Sequence, residues 1–107
     1  MSTVEIAEKL KLMGDKTRLA ILVLLQDKEW CVCDLVEVLG MTQPAISQHM
    51  RKLKSHGLVN EQRRGQWVHY SLNIEDKPYV QAVLHQLPNP TEMLAALKKN
   101  YEAASCL

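Results

Sequence analysis

The sequence predicts a mostly helical domain carrying one small β-hairpin, an α+β fold. Three observations support that expectation. Apolar residues recur at helical spacing in successive segments punctuated by Gly14, Gly40 and Gly57. After Gly57 the period changes to two, with Val68, Tyr70 and Leu72 alternating. A length of 107 residues supports one core and little more, so residues 1–107 are expected to form a single domain whose apolar surface a partner subunit would help to cover.

The first helix is expected over Thr3 to Met13, where Ile6, Ala7, Leu10 and Met13 share a face and Gly14 ends it. Asp15 can cap a second helix through about Asp27; Leu19, Leu22, Val23, Leu24 and Leu25 are too many for a surface stripe and imply burial. A short third helix is expected from about Cys31 to Leu39, with Leu35, Val38 and Leu39 inward and Gly40 as its stop. Thr42 can cap a fourth, with Pro44 tolerated in its first turn, running to His56 and Gly57. Its Ile46, Met50 and Leu53 fall at i, i+4 and i+7, and Gly40-Met41 makes the third and fourth helices a helix-turn-helix.

Leu58 to Arg63 and Gln66 to Leu72 should pair as a hairpin about Arg64-Gly65, the wing of a winged helix-turn-helix. Asp76 to Leu87 then places Val80, Val83, Leu84 and Leu87 on one face, before Pro88-Asn89-Pro90 interrupts. Thr91 can cap a last helix with Leu94, Leu97 and Tyr101 along one side, and Met93 and Ala104 adjacent. Such stripes suit either a dimer interface or a cover for their own subunit.

Charge is unevenly distributed. Gln43 to Tyr70 holds five basic residues and one acid, a local net of +4, whereas the rest holds eight basic and eleven acidic, a net of −3. A basic module in an acidic body suits a phosphate-facing surface, although charge alone fits an ordinary solvated face equally well. On the fourth helix Gln43, Pro44, Ser47 and Gln48 lie at or near the N-terminal end, where amides and hydroxyls read base edges, and Arg51 and Lys52 follow where phosphate would lie. Arg63 and Arg64 at the hairpin tip are expected to reach the DNA backbone or minor groove.

Cys31-Val32-Cys33 is the chemical feature of the chain. Three cysteines with no sign of secretion point to thiols and soft-metal chemistry rather than a disulfide framework. A helix N-terminus favours thiolate, making both better ligands. Residues i and i+2 of a regular helix lie about 200° apart, so the sulfurs are expected to converge only if the first turn distorts. A ligand preferring that distorted form would shift the population away from the DNA-competent state. Redox sensing and simple core packing remain open for these thiols, a two-residue disulfide being expected to demand local rearrangement. A zinc or cadmium site is disfavoured because tetrahedral sites need four donors.

Several classes are excluded. No acid/base pair, nucleophile triad or glycine-rich phosphate loop supports an enzyme. No apolar run approaches the roughly 18 residues of a membrane span, and Glu5, Glu8, Lys9 and Lys11 rule out a signal-peptide core, so a cytoplasmic protein without membrane contact is expected. His69, His85, Glu75 and Asp76 do not form a spaced ligand set, and His49 and His56 read as structural or phosphate-touching.

The segments Asp15 to Leu22, Cys31 to Leu35, Thr42 to Met50 and Gly57 to Val59 resemble the ArsR/SmtB family of winged-helix metalloregulatory repressors, and the thiol motif is most similar to its arsenical-resistance branch. The resemblance covers roughly residues 5 to 73. It implies a homodimer through the first and last helices that binds a palindromic operator on double-stranded DNA, needs no cofactor to do so, and is released when As(III) or Sb(III) binds Cys31 and Cys33. A redox-sensing repressor and a regulator of a thiophilic metal such as cadmium are the alternatives. Arsenic in this family commonly takes three sulfurs, yet the position where some members supply the third is Glu37, leaving Cys106 as a distant candidate.

Overall fold

The computed structural model describes residues 2–105, with side chains through residue 97. The elements are α1 (Thr3–Met13), α2 (Lys16–Leu25), β1 (Trp30–Cys31), α3 (Val32–Leu39), α4 (Gln43–Ser55), β2 (Val59–Arg64), β3 (Trp67–Leu72), α5 (Pro78–His85) and α6 (Pro90–Ser105). This is a winged helix-turn-helix, with α3 and α4 as the helix pair and β2–β3 as the wing.

Among the described residues, every helix start but that of α5 is capped by a side chain the chain supplies locally. Ser2 Oγ accepts from the Glu5 N–H, Asp15 Oδ1 from the Thr17 and Arg18 N–H groups, and Thr42 Oγ1 from the Ala45 N–H. Asn89, rather than Thr91, caps α6: its Oδ1 accepts from the Glu92 N–H at 2.9 Å, because Pro90 occupies the first helical position. α5 begins at Pro78 and not at Asp76, since residues before a proline resist helical backbone. At the turn between α3 and α4, Gly40 adopts φ +63°, and the N–H groups of Gly40 and Met41 both bond to the Val36 carbonyl.

α2 is the centre of the core. Ala20 to Leu25 are all buried, because α1, α5, α6 and β3 pack around this helix and give every face an apolar neighbour. Ile46, Met50 and Leu53 of α4 and Leu35 of α3 are fully buried, each contributing roughly 1.5–3 kcal/mol of hydrophobic stabilisation. Val38, expected inward, is instead 40% exposed, and only Leu35 and Leu39 of α3 are buried.

The sheet has three strands in the order β1-β3-β2, one more than the sequence suggests. Cys31 is extended backbone (φ −84°, ψ 158°) paired with His69 of β3, so α3 starts at Val32 and Cys31 lies outside the helix. In the wing, Arg64 pairs with Trp67, which shifts the turn to Gly65-Gln66 with Gly65 at φ +62°. Lys77 is buried without any sequence signal: its Nζ donates to the Asn73 carbonyl and to Asp76 Oδ1, tying the end of β3 to α5.

Candidate nucleic-acid interface and thiol pair

α4 exposes two polar rows. Gln43, Ser47, Arg51 and Lys54 recur every three to four residues toward the wing, and with α3 and the hairpin they bound an open cleft of about 650 Å³. Pro44, Gln48 and Lys52 are exposed along the neighbouring row. Lys54 forms an ion pair with Glu61 across this cleft, and Glu61 also accepts from the Tyr70 hydroxyl at 3.3 Å. The hydrogen bond from Lys54 holds the Glu61 carboxyl below its ordinary value against some burial. Burial, then the Glu61 charge and hydrogen bond, push the Tyr70 phenol up to about 12, so it stays a donor throughout the neutral range.

The two wing arginines part company because neighbouring strand residues face opposite ways. Arg63 lines the cleft beside Arg51. Arg64 lies on the other face, in a two-point ion pair with Glu29 and a 3.0 Å hydrogen bond to Gln62 Oε1. His69 approaches the same Glu29 at 3.8 Å.

α4 is braced from behind. Arg18 Nη1 donates to His49 Nδ1 at 3.3 Å, and Arg18 Nε donates to the Leu12 carbonyl at 2.6 Å. Burial drives the His49 imidazole below its ordinary 6.5; Asp15 opposes, and Arg18 and Lys52 reinforce the fall. Neutral His49 is the form that accepts from Arg18.

Cys31 and Cys33 are joined in a disulfide with their Cα atoms 5.4 Å apart. Sulfur convergence therefore needs no unwinding of α3: the 200° separation applies within a helix, and Cys31 precedes it in extended backbone. Cys31 Sγ also accepts from the Asp34 N–H at 3.4 Å, acting as the N-cap of α3. The sulfurs and an Asp34 carboxylate oxygen all lie within 4.8 Å of one another. In the dithiol form this set suits a thiophilic centre through two sulfurs, with a single hard oxygen nearby. Cys31 is buried while Cys33 is exposed and lines the cleft beneath Gln43, Ser47, Arg51 and Arg63. Glu37 is exposed on α3, and Cys106 lies outside the described residues. The proximity of the thiols to the wing depends on β1, which no local sequence signal announces.

Residues 15–61 match the model of the family described as bacterial regulatory protein, arsR family. The chain is 35% identical over 106 residues to the arsenical resistance operon repressor of Staphylococcus xylosus, covering 99% of this chain and 100% of that protein. It is 45% identical over 64 residues to the arsenical resistance operon repressor of Escherichia coli K12, covering 59% of this chain and 55% of that protein. The matches to two arsenic resistance regulators of Pseudomonas putida likewise span only 59% and 65% of their lengths. Among solved structures, reduced HlyU from Vibrio cholerae superposes with a TM-score of 0.71 at 34% identity, covering 78% of this chain and 88% of that one. The homodimeric winged helix-turn-helix domain Mb0332 from Mycobacterium bovis gives 0.67 at 31% identity, covering 76% and 75%.

Proposed function

The chain belongs to the arsR family of bacterial regulatory proteins, and from that premise we propose that it is an operator-binding homodimeric repressor released when As(III) or Sb(III) binds the Cys31 and Cys33 thiolates. Its class is a DNA-binding transcriptional regulator and not an enzyme. The observation that carries the metalloid reading is that Cys33 opens onto the cleft shared by Gln43, Ser47, Arg51 and Arg63. Relatives named as arsenical resistance repressors support an arsenic-type inducer.

In this reading Gln43, Pro44, Ser47 and Gln48 meet base edges, while Arg51, Lys52 and Arg63 neutralise phosphates; Arg64 joins them once DNA displaces Glu29. The dithiol takes the metalloid at the mouth of that cleft. Coordination engages Cys31 Sγ, the acceptor of the Asp34 N–H, and so weakens the cap at the start of α3, the helix that supports α4 through the Gly40 turn. A coupling of about 1–3 kcal/mol suffices for a 5- to 150-fold loss of operator affinity.

Fluorescence anisotropy with the chain's own promoter DNA tests this. Arsenite should raise the operator Kd at least about tenfold, a coupling of about 1.4 kcal/mol, and the ratio of Kd with and without arsenite should fall to one in Cys31→Ser and Cys33→Ser. Unchanged affinity at saturating arsenite would overturn the reading. A second reading, a thiol redox sensor, is favoured by the Cys31–Cys33 disulfide formed with α3 intact. Peroxide-driven release reversed by a phosphine reductant, with no response to arsenite or cadmium, would select it.

A further inference from the structure

Trivalent arsenic makes three bonds, and the thiol pair supplies two. Among the described residues, the side-chain donor grouped with both sulfurs is the Asp34 carboxylate, a hard oxygen poorly matched to a soft centre. Cys33, however, opens onto the cleft of about 650 Å³, a volume within the roughly 300–1,000 Å³ typical of small-molecule sites. Two cations on its walls, Arg51 and Arg63, make no ion pair among the described residues, whereas Lys54 is neutralised by Glu61. Gln43 and Ser47 add neutral hydrogen-bonding groups.

We propose that this cleft binds a low-molecular-weight thiol bearing carboxylates, whose sulfur makes the third bond to arsenic and whose carboxylates are held by Arg51 and Arg63. The inference rests on the metalloid reading of Cys31 and Cys33. The exchange balances without redox change: three As–O bonds of arsenous acid break, three As–S bonds form, and each thiol hydrogen leaves with a hydroxide as water. If the cysteines begin as the disulfide, two further molecules of the same thiol reduce it and become its oxidised dimer. Guanidinium–carboxylate pairing is charge-assisted and directional, and it occupies the groups that DNA phosphates would use. The inducer complex and the operator therefore compete for the same two arginines.

Native mass spectrometry and arsenic X-ray absorption on the full chain, kept reduced with a phosphine, test the proposal. The probes are arsenite alone and arsenite with glutathione, glutathione diethyl ester or 2-mercaptoethanol, on the wild-type, Cys106→Ser, Arg63→Met and Arg63→Lys chains. The expected adduct is one arsenic plus one glutathione per chain with three sulfurs around arsenic, unchanged in Cys106→Ser. Glutathione should lower the arsenite concentration at half-saturation about tenfold relative to the diester, as expected for charge-assisted bonds. That advantage should vanish in Arg63→Met and return in Arg63→Lys. Arsenic bound without glutathione, whether through three sulfurs lost in Cys106→Ser or through two sulfurs and an oxygen, would overturn the proposal and leave the metalloid reading standing. Equal enhancement by the diester would also overturn it. No bound arsenic under any condition would overturn both.

Discussion

His49 illustrates how one side chain links stability to acidity. Its burial favours the neutral ring, and its Nδ1 accepts from Arg18, so the folded chain binds this proton more weakly than the unfolded chain. The resulting stabilisation is complete above pH 6.5 and declines as the pH falls below it. Burial alone raises Asp15, but the Arg18 N–H, the charges of Arg18 and His49, and the Thr17 N–H hold it below 3.8; its contribution is lost only under stronger acid, in a separate window. Urea midpoints should therefore fall between about pH 7 and pH 5.5, and His49→Gln, whose amide can still accept from Arg18, should flatten that fall. An unaltered slope in the variant would show that the proton is taken up elsewhere. At this scale the sequence was informative where periodicity decides, as for Ile46, Met50 and Leu53. It was silent on Lys77, whose burial depends on where the Asn73 carbonyl ends up.

The wing and α4 are paired elements, and the hairpin register decides which charges share the cleft between them. A hairpin turn at Arg64-Gly65 leaves both arginines at the tip; the observed turn at Gly65-Gln66 puts Arg64 in the last ladder pair, facing away from Arg63. Arg63→Ala should weaken operator binding and reduce the slope of log Kd against log salt by about one unit, as expected for one lost phosphate contact. Arg64→Ala should move that slope less, because in the free chain its charge is already neutralised by Glu29. Equal slopes for the two variants would contradict this division. Helices were legible as elements because each has its own apolar stripe and all but α5 a side-chain cap. β1 was not: two residues form a strand only because β3 lies beside them, and that pairing spans the helix-turn-helix.

As a whole molecule the domain leaves part of α1 uncovered. Val4 is 65% and Leu10 45% exposed, so the first helix presents apolar surface that its own subunit does not bury. In the proposed dimer this surface meets the partner, and two α4 helices are offered to half-sites about 34 Å apart. Sedimentation at micromolar concentration should report a dimer, and Leu10→Lys should shift it toward monomer with a matching loss of operator affinity. A wild-type monomer that still binds a palindrome would contradict that assembly. The fold class could be read from periodicity and punctuation, whereas the cleft uniting thiols with arginines emerged only from tertiary pairing.

Cys31 caps α3 from outside the helix, in the position where a serine or threonine hydroxyl ordinarily sits. On the proposed reading, an oxygen-for-sulfur exchange at a site that asks only for a hydrogen-bond acceptor would separate a sensing chain from an insensitive variant. If that reading holds, a chain with serine there should keep its helix start and its hold on the operator while losing its response to arsenite. Responsiveness would then be a detachable property of this scaffold, gained or lost without rebuilding the protein beneath it.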